Sequence, residues 1–84
     1  MAKQEKVTIG GTEYTLQHPG ARWYVSLQDR IRDPRSGLKM NEKYYDEMLE
    51  NVVADPVVEI DDFDDNTKDL GELISECESF LNAG

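Results

Sequence analysis

Apolar and polar residues alternate at Val7 and Ile9 and again at Tyr14 and Leu16, and Gly10-Gly11 lies between the two runs. Period-two patterning on both sides of a glycine pair predicts a β-hairpin over 6–17, because glycine takes positive φ at both turn positions without steric cost. A lone hairpin is marginal in water, so its apolar face needs a partner. From Ala21 the period changes. Trp23, Tyr24, Leu27 and Ile31 recur at helical spacing, which predicts a helix over 19–32 with Pro19 in its first turn and His18 near its cap. Asp33-Pro34-Arg35-Ser36-Gly37 ends it, since the residue before a proline is pushed out of the α region and glycine favours a turn; 33–40 reads as a linker.

A second helix is expected over 41–54, capped by Asn41, with Tyr45, Met48, Leu49 and Val52 in its stripe and Tyr44 and Val53 at the edges. Asp55-Pro56 ends it. Residues 55–66 read as an acidic loop, in which Val57 to Ile60 is a short extended run and Phe63 anchors the loop to the core. Asn66 with Asp69 three positions later resembles a capping box for a last helix over 67–82, whose stripe is Leu70, Leu73, Ile74, Cys77, Phe80 and Leu81. Gly71 inside that helix costs about 1 kcal/mol relative to alanine, so packing must help to hold it. Ala83-Gly84 is expected to fray. The expected fold class is α+β: an N-terminal β-hairpin followed by three amphipathic helices in one small domain spanning 1–84.

Charge divides the chain. Residues 1–40 carry a formal +3 and residues 41–84 a formal −12, giving the overall −9. A clustered acidic field repels nucleic acid and membrane headgroups and attracts basic or cationic-amphipathic surfaces, so neither nucleic acid nor membrane is an expected partner. The basic stretch Arg30-Ile31-Arg32-Asp33-Pro34-Arg35 is short and interleaved with carboxylates; its expected role is to pair with the acidic half, within the chain or between copies. The first residues contain no apolar leader core, and no run approaches the ~18 apolar residues of a membrane span. A single cysteine, Cys77, cannot close an internal disulfide and suits a reducing compartment.

Candidate chemistry is sparse. The twelve-residue calcium loop fails in both registers: starting at Asp62 it puts Thr67 where glycine is needed and Leu73 where a bidentate glutamate is needed, and starting at Asp61 it puts Phe63 at a ligand position. His18 and Cys77 sit in different segments, each with a structural explanation, and a lone cysteine begins no zinc motif. No catalytic residue, metal or cofactor is therefore assigned, and the chain reads as a non-enzyme. Trp23 and Tyr24 are adjacent and point about 100° apart on a helix, so either both belong to a wide buried face or one is an exposed aromatic anchor for a partner.

Gly11 to Leu27, GTEYTLQHPGARWYVSL, resembles small tail assembly chaperones of long-tailed bacteriophages and related prophage elements of Gram-positive hosts. The similar order is a glycine-turned hairpin, a His-Pro-Gly step into a Trp-containing helix, and the linker Ser36-Gly37-Leu38-Lys39-Met40. It continues through Tyr44-Tyr45, the run from Leu49 to Pro56, an acidic segment with Phe63, and a terminal helix ending Phe80-Leu81. The resemblance implies an assembly factor that binds the tape measure protein, keeps that long helical chain dispersed in the host cytoplasm, helps to recruit tail tube protein and leaves the finished tail. The chain resembles a short form, which leaves direct contact with the tube protein to a longer frameshifted form. On this reading Trp23, Tyr24, Phe63, Leu73, Phe80 and Leu81 offer apolar contact to the partner, with the acidic loop at the rim; the same apolar residues also admit self-association. Two other readings remain open: an acidic inhibitor that mimics nucleic acid, and a small regulatory or calcium module.

Overall fold

In a computed structural model the chain is described over residues 4–82, so the expected fraying of Ala83-Gly84 lies outside the described residues. Strands β1 (Gln4–Ile9) and β2 (Thr12–Gln17) form the hairpin, followed by helices α1 (Ala21–Arg30) and α2 (Asn41–Asn51), strand β3 (Val53–Asp55), a short 3-10 helix at Ile60–Phe63, and helix α3 (Thr67–Asn82). This is the α+β arrangement expected from the pattern. The sheet is antiparallel in the order β1-β2-β3.

Gly10 and Gly11 both have positive φ, +55° and +85°, and this lets a two-residue turn match the twist of the strands. Cross-strand register sets Val7 opposite Tyr14. Tyr14 and Leu16 are buried, and Lys6 and Glu13 pair on the solvent face at 3.9 Å. The turn also abuts the start of α3, where a Cβ at Gly10 would collide with the Asp69 carboxylate.

The third strand is absent from the helical reading of 41–54. Residues Val53–Asp55 leave the helix and pair with β2, Leu16 opposite Val53 and Thr15 opposite Asp55, with a register shift that leaves Ala54 bulged. Gln17 N–H donates to Val52 O at 2.8 Å. Two valines in succession suit a pleated edge better than a helix end, and the open flank of β2 supplies their hydrogen bonds. Conversely, Val57 to Ile60 forms no strand; Val57 stands 86% exposed. Helix α2 also differs in phase and cap. Tyr44 is buried while Tyr45 is half-buried, the reverse of expectation, and Asn41 is the first helical residue rather than the cap. At α1 the helix begins at Ala21 after Gly20, whose φ of +111° suits glycine alone, so Pro19 precedes the helix instead of occupying its first turn. His18 Nδ1 accepts the Gly20 N–H at 3.0 Å, which holds that entry.

Helix α3 runs over 67–82 as its stripe requires. Asp69 N–H donates to Asn66 Oδ1 at 3.2 Å, and the Asn66 amide returns a bond to Asp69 Oδ2 at 2.9 Å, a side-chain variant of the capping box. The core joins Leu16, Leu27, Met48, Val52, Leu73 and Cys77, all at 0% exposure, with Phe80 beside them at 2%. Gly71 has open space where a Cβ would sit, within 4 Å of nothing. We therefore expect Gly71→Ala to raise stability by about 0.5–1 kcal/mol through helix propensity and lower unfolded-chain entropy, read as a higher denaturation midpoint at unchanged m-value.

Candidate functional site

Among the described residues, three large apolar side chains remain open to solvent: Val25 (65%), Leu38 (70%) and Val57 (86%). None belongs to a core stripe. Val25 is two residues before buried Leu27 and so points away from the core with Ala21, Arg22 and Ser26, which share a shallow depression with it. Leu38 sits in the linker, which is more ordered than its polar composition suggests. Asp33 N–H donates to Leu38 O and Gly37 N–H to Asp33 O, both at 2.8 Å; Asp33 Oδ1 accepts the Arg35 N–H at 2.7 Å; Met40 N–H reaches Ile31 O at 2.6 Å. Arg32 and Lys39 close the turn as a β-bridge. Exposed Leu38 is thus held out on a hydrogen-bonded loop.

Behind that loop lies a groove between α1, α2 and α3, lined by Tyr24, Gln28, Ile31, Lys39, Tyr44 and Leu81 among others. Gln28, Ile31 and Lys39 also border the depression around Leu38, so the two are one continuous surface. Its floor is fixed by polar contacts. The Tyr44 hydroxyl donates to Glu78 Oε2 at 2.6 Å, and Lys39 Nζ stands 3.7 Å above the Tyr44 ring. Burial and the Glu78 carboxylate push the Tyr44 hydroxyl far above the ordinary tyrosine range. Next to it Arg30 grips Glu47 with two bonds, Nε to Oε2 at 3.2 Å and Nη2 to Oε1 at 3.0 Å, and Asn51 Nδ2 adds a third to Glu47 Oε1 at 3.1 Å. This joins the basic half to the acidic half within the chain. Among the described residues the other ion pair is Lys6–Glu13, so Arg22, Arg32 and Arg35 have no carboxylate partner.

Val57 occupies a different surface. With Val58 and Leu49 it lines a depression whose remaining border is Asp46, Glu50 and Glu59, three carboxylates and no cation.

Of the six residues expected to meet a partner, the structure brings Tyr24 and Leu81 together at the groove. Leu73, Phe80 and Leu81 are buried at 0%, 2% and 8% exposure, so the stripe of α3 packs within the domain, and of the three Leu81 borders the groove. Trp23 and Phe63 are half-buried and pack on the core. The Trp23 indole nitrogen is shielded with no hydrogen-bond partner, which marks it as inward-facing. Val25, Leu38, Lys39 and Val57 were missed. Their signal is an apolar residue off the helical stripe, or one set in a turn between Arg35 and Lys39 or just after Pro56.

His18 and Cys77 are held structurally: His18 packs against Phe80 with ring centroids 6.2 Å apart, and Cys77 is wholly buried, where desolvation and then Glu78 and Glu76 push its thiol up to about 12. In the acidic loop Asp62 Oδ2 accepts the Glu59 N–H at 2.8 Å, and among the described residues no three His, Cys, Asp or Glu side chains are placed to share a metal ion. No described helix is long and apolar enough to cross a membrane. Compared with known proteins, the chain matches no family model, no curated protein and no solved structure.

Proposed function

We propose that this protein is a non-enzymatic assembly chaperone of a long-tailed phage or prophage element, which binds the tape measure protein in the host cytoplasm and is not retained in the finished tail. The residue order from Gly11 to Leu81 suggests the family, and one structural observation supports the role. The exposed apolar side chains Val25 and Leu38 belong to the cationic residues 1–40, the Tyr24–Leu81 groove lies where residues 1–40 meet 41–84, and most carboxylates fall in 41–84. Such a division suits a protein that must hold an apolar helical stripe and keep the complex dispersed: an amphipathic helix with acidic flanks fits the Leu38 surface, and the net charge of −9 opposes aggregation.

The test is co-expression with the tape measure protein encoded beside this chain, followed by size-exclusion chromatography. The proposal expects co-elution, and loss of tape measure protein from the soluble fraction when this chain is omitted. A tape measure that stays insoluble while this chain migrates alone would reject it.

A further inference from the structure

The depression around Val57 has two walls. Helix α2 supplies one with Asp46, Leu49 and Glu50, and the segment Val57-Val58-Glu59 supplies the other. Leu49 is buried and Val58 half-buried, which makes the floor apolar, and Val57 stands 86% exposed above it. The carboxylates of Asp46, Glu50 and Glu59 border this apolar patch from exposed positions, and neither ion pair among the described residues involves them. Asp46 and Glu50 are one turn apart on the same face of α2. The same two residues also border a shallow depression that runs back along α2 to Met40, so one elongated surface follows the helix. The 11 residues of α2 span about 16 Å, the length of three helical turns.

We propose that this surface docks a cationic amphipathic helix of another protein. An aliphatic side chain of that helix packs on Val57 and Val58 over the apolar floor. Two lysines or arginines four positions apart on the partner lie about 5–6 Å from each other, the same interval as Asp46 and Glu50, and so meet both carboxylates when the partner lies alongside α2. Glu59 closes the opposite rim, where its side chain accepts the Asp62 N–H and is thereby held in place. Charge selects the partner's sign. Residues 41–84 carry a formal −12, which draws in a cationic helix and turns away an acidic one of the same apolar pattern. At physiological salt the Debye length is about 8 Å, so the carboxylates at the rim act at contact distance while the distant ones are screened. The surface is separate from the Leu38 loop, so the inference stands or falls independently of where the tape measure protein binds.

The probe is a synthetic peptide of about 15 residues, long enough to sustain a helix, with leucines at one-turn spacing and lysines four positions apart on either side. Titrated into the full isotope-labelled chain, it should bind saturably, shift the amides from Asp46 to Glu50 and from Val57 to Glu59, and bind more weakly as salt rises. Val57→Lys, and the pair Asp46→Asn with Glu50→Gln, change only exposed positions, so both variants should fold, which circular dichroism verifies. Each should weaken binding at least about tenfold, and so should replacing the peptide's leucines with alanine. Leu38→Asp should leave the affinity unchanged. Absence of saturable binding, equal binding by the alanine peptide or by Val57→Lys, or amide shifts confined to another surface would each overturn the proposal. So would displacement of the peptide as the concentration of the chain itself rises, because a second copy would then be the occupant.

Discussion

Replacing Phe80 with alanine is expected to remove about 3–5 kcal/mol of stability, which approaches the whole net stability of a domain of this size. The ring is 2% exposed, lies on the inward stripe of α3 with Leu73 and Cys77, and packs against His18. Its loss removes transfer energy and leaves a cavity in the core that the surrounding structure relaxes into only in part. At about 5 °C per kcal/mol for a chain of this length, the melting temperature should fall by more than ~15 °C. Leu38→Ala, at a 70% exposed position, should by contrast stay within ~0.5 kcal/mol of the parent. Thermal or chemical denaturation of both variants checks this. A Phe80→Ala protein within ~1 kcal/mol of the parent would mean that the stripe of α3 is not core. The same burial determines how binding data should be read: a polar substitution at Phe80 that abolishes partner binding reports unfolding, so contact must be probed at Leu38 and Val25.

The second large effect is a loss of stability in alkali. Burial and neighbouring carboxylates raise the hydroxyls of Tyr14 and Tyr44 and the thiol of Cys77, the last from 9.0 to about 12. Because the folded pKa values lie above the unfolded ones, the contribution is fully present below about pH 9. As pH rises further, the unfolded chain sheds protons that the folded chain retains, and stability falls until the folded groups titrate. A group whose folded pKa lies well above its unfolded one contributes a slope that approaches about 1.4 kcal/mol per pH unit, so with Cys77 and Tyr44 as the main contributors the unfolding free energy, and with it the denaturant midpoint, should fall steadily between about pH 9 and pH 11. General repulsion in an acidic chain acts in the same direction, and Tyr44→Phe separates the two. It removes one titrating group and the bond to Glu78, so the variant should be about 1.5–3 kcal/mol less stable at neutral pH yet show a flatter decline. An equal slope in the variant, or no decline in the parent, contradicts the account.

Where the pattern is decided locally, the fold was legible. Gly10-Gly11 between alternating runs specifies the hairpin turn, and the stripe from Leu70 to Leu81 specifies α3 over its whole length. Val52-Val53-Ala54 is the opposite case. A short apolar run reads equally as a helix end or as a strand, and only the free edge of β2, a long-range feature, draws Val53–Asp55 into the sheet. The exchange of Tyr44 and Tyr45 has a related cause, since the inward residue is the one whose hydroxyl meets Glu78, 34 positions away. The candidate site was harder to read for a physical reason. An amphipathic stripe looks the same whether it packs within its own domain or on another protein, so the burial of Leu73 and Phe80 was not legible, while Leu38 and Val57, off any helical stripe, carried no periodic signal.

The central claim is that α3 stays buried in the domain while the surface around Leu38 and the Tyr24–Leu81 groove receives the tape measure protein. Amide hydrogen exchange on the free chain and on the co-purified complex tests it most directly. The account predicts that the complex slows exchange in the linker around Gly37–Lys39 and on the α1 residues facing the groove, with the amides of α3 as protected as in the free chain. Faster exchange along α3 in the complex, with the linker unchanged, would mean that the terminal helix leaves the core to bind, and would contradict it.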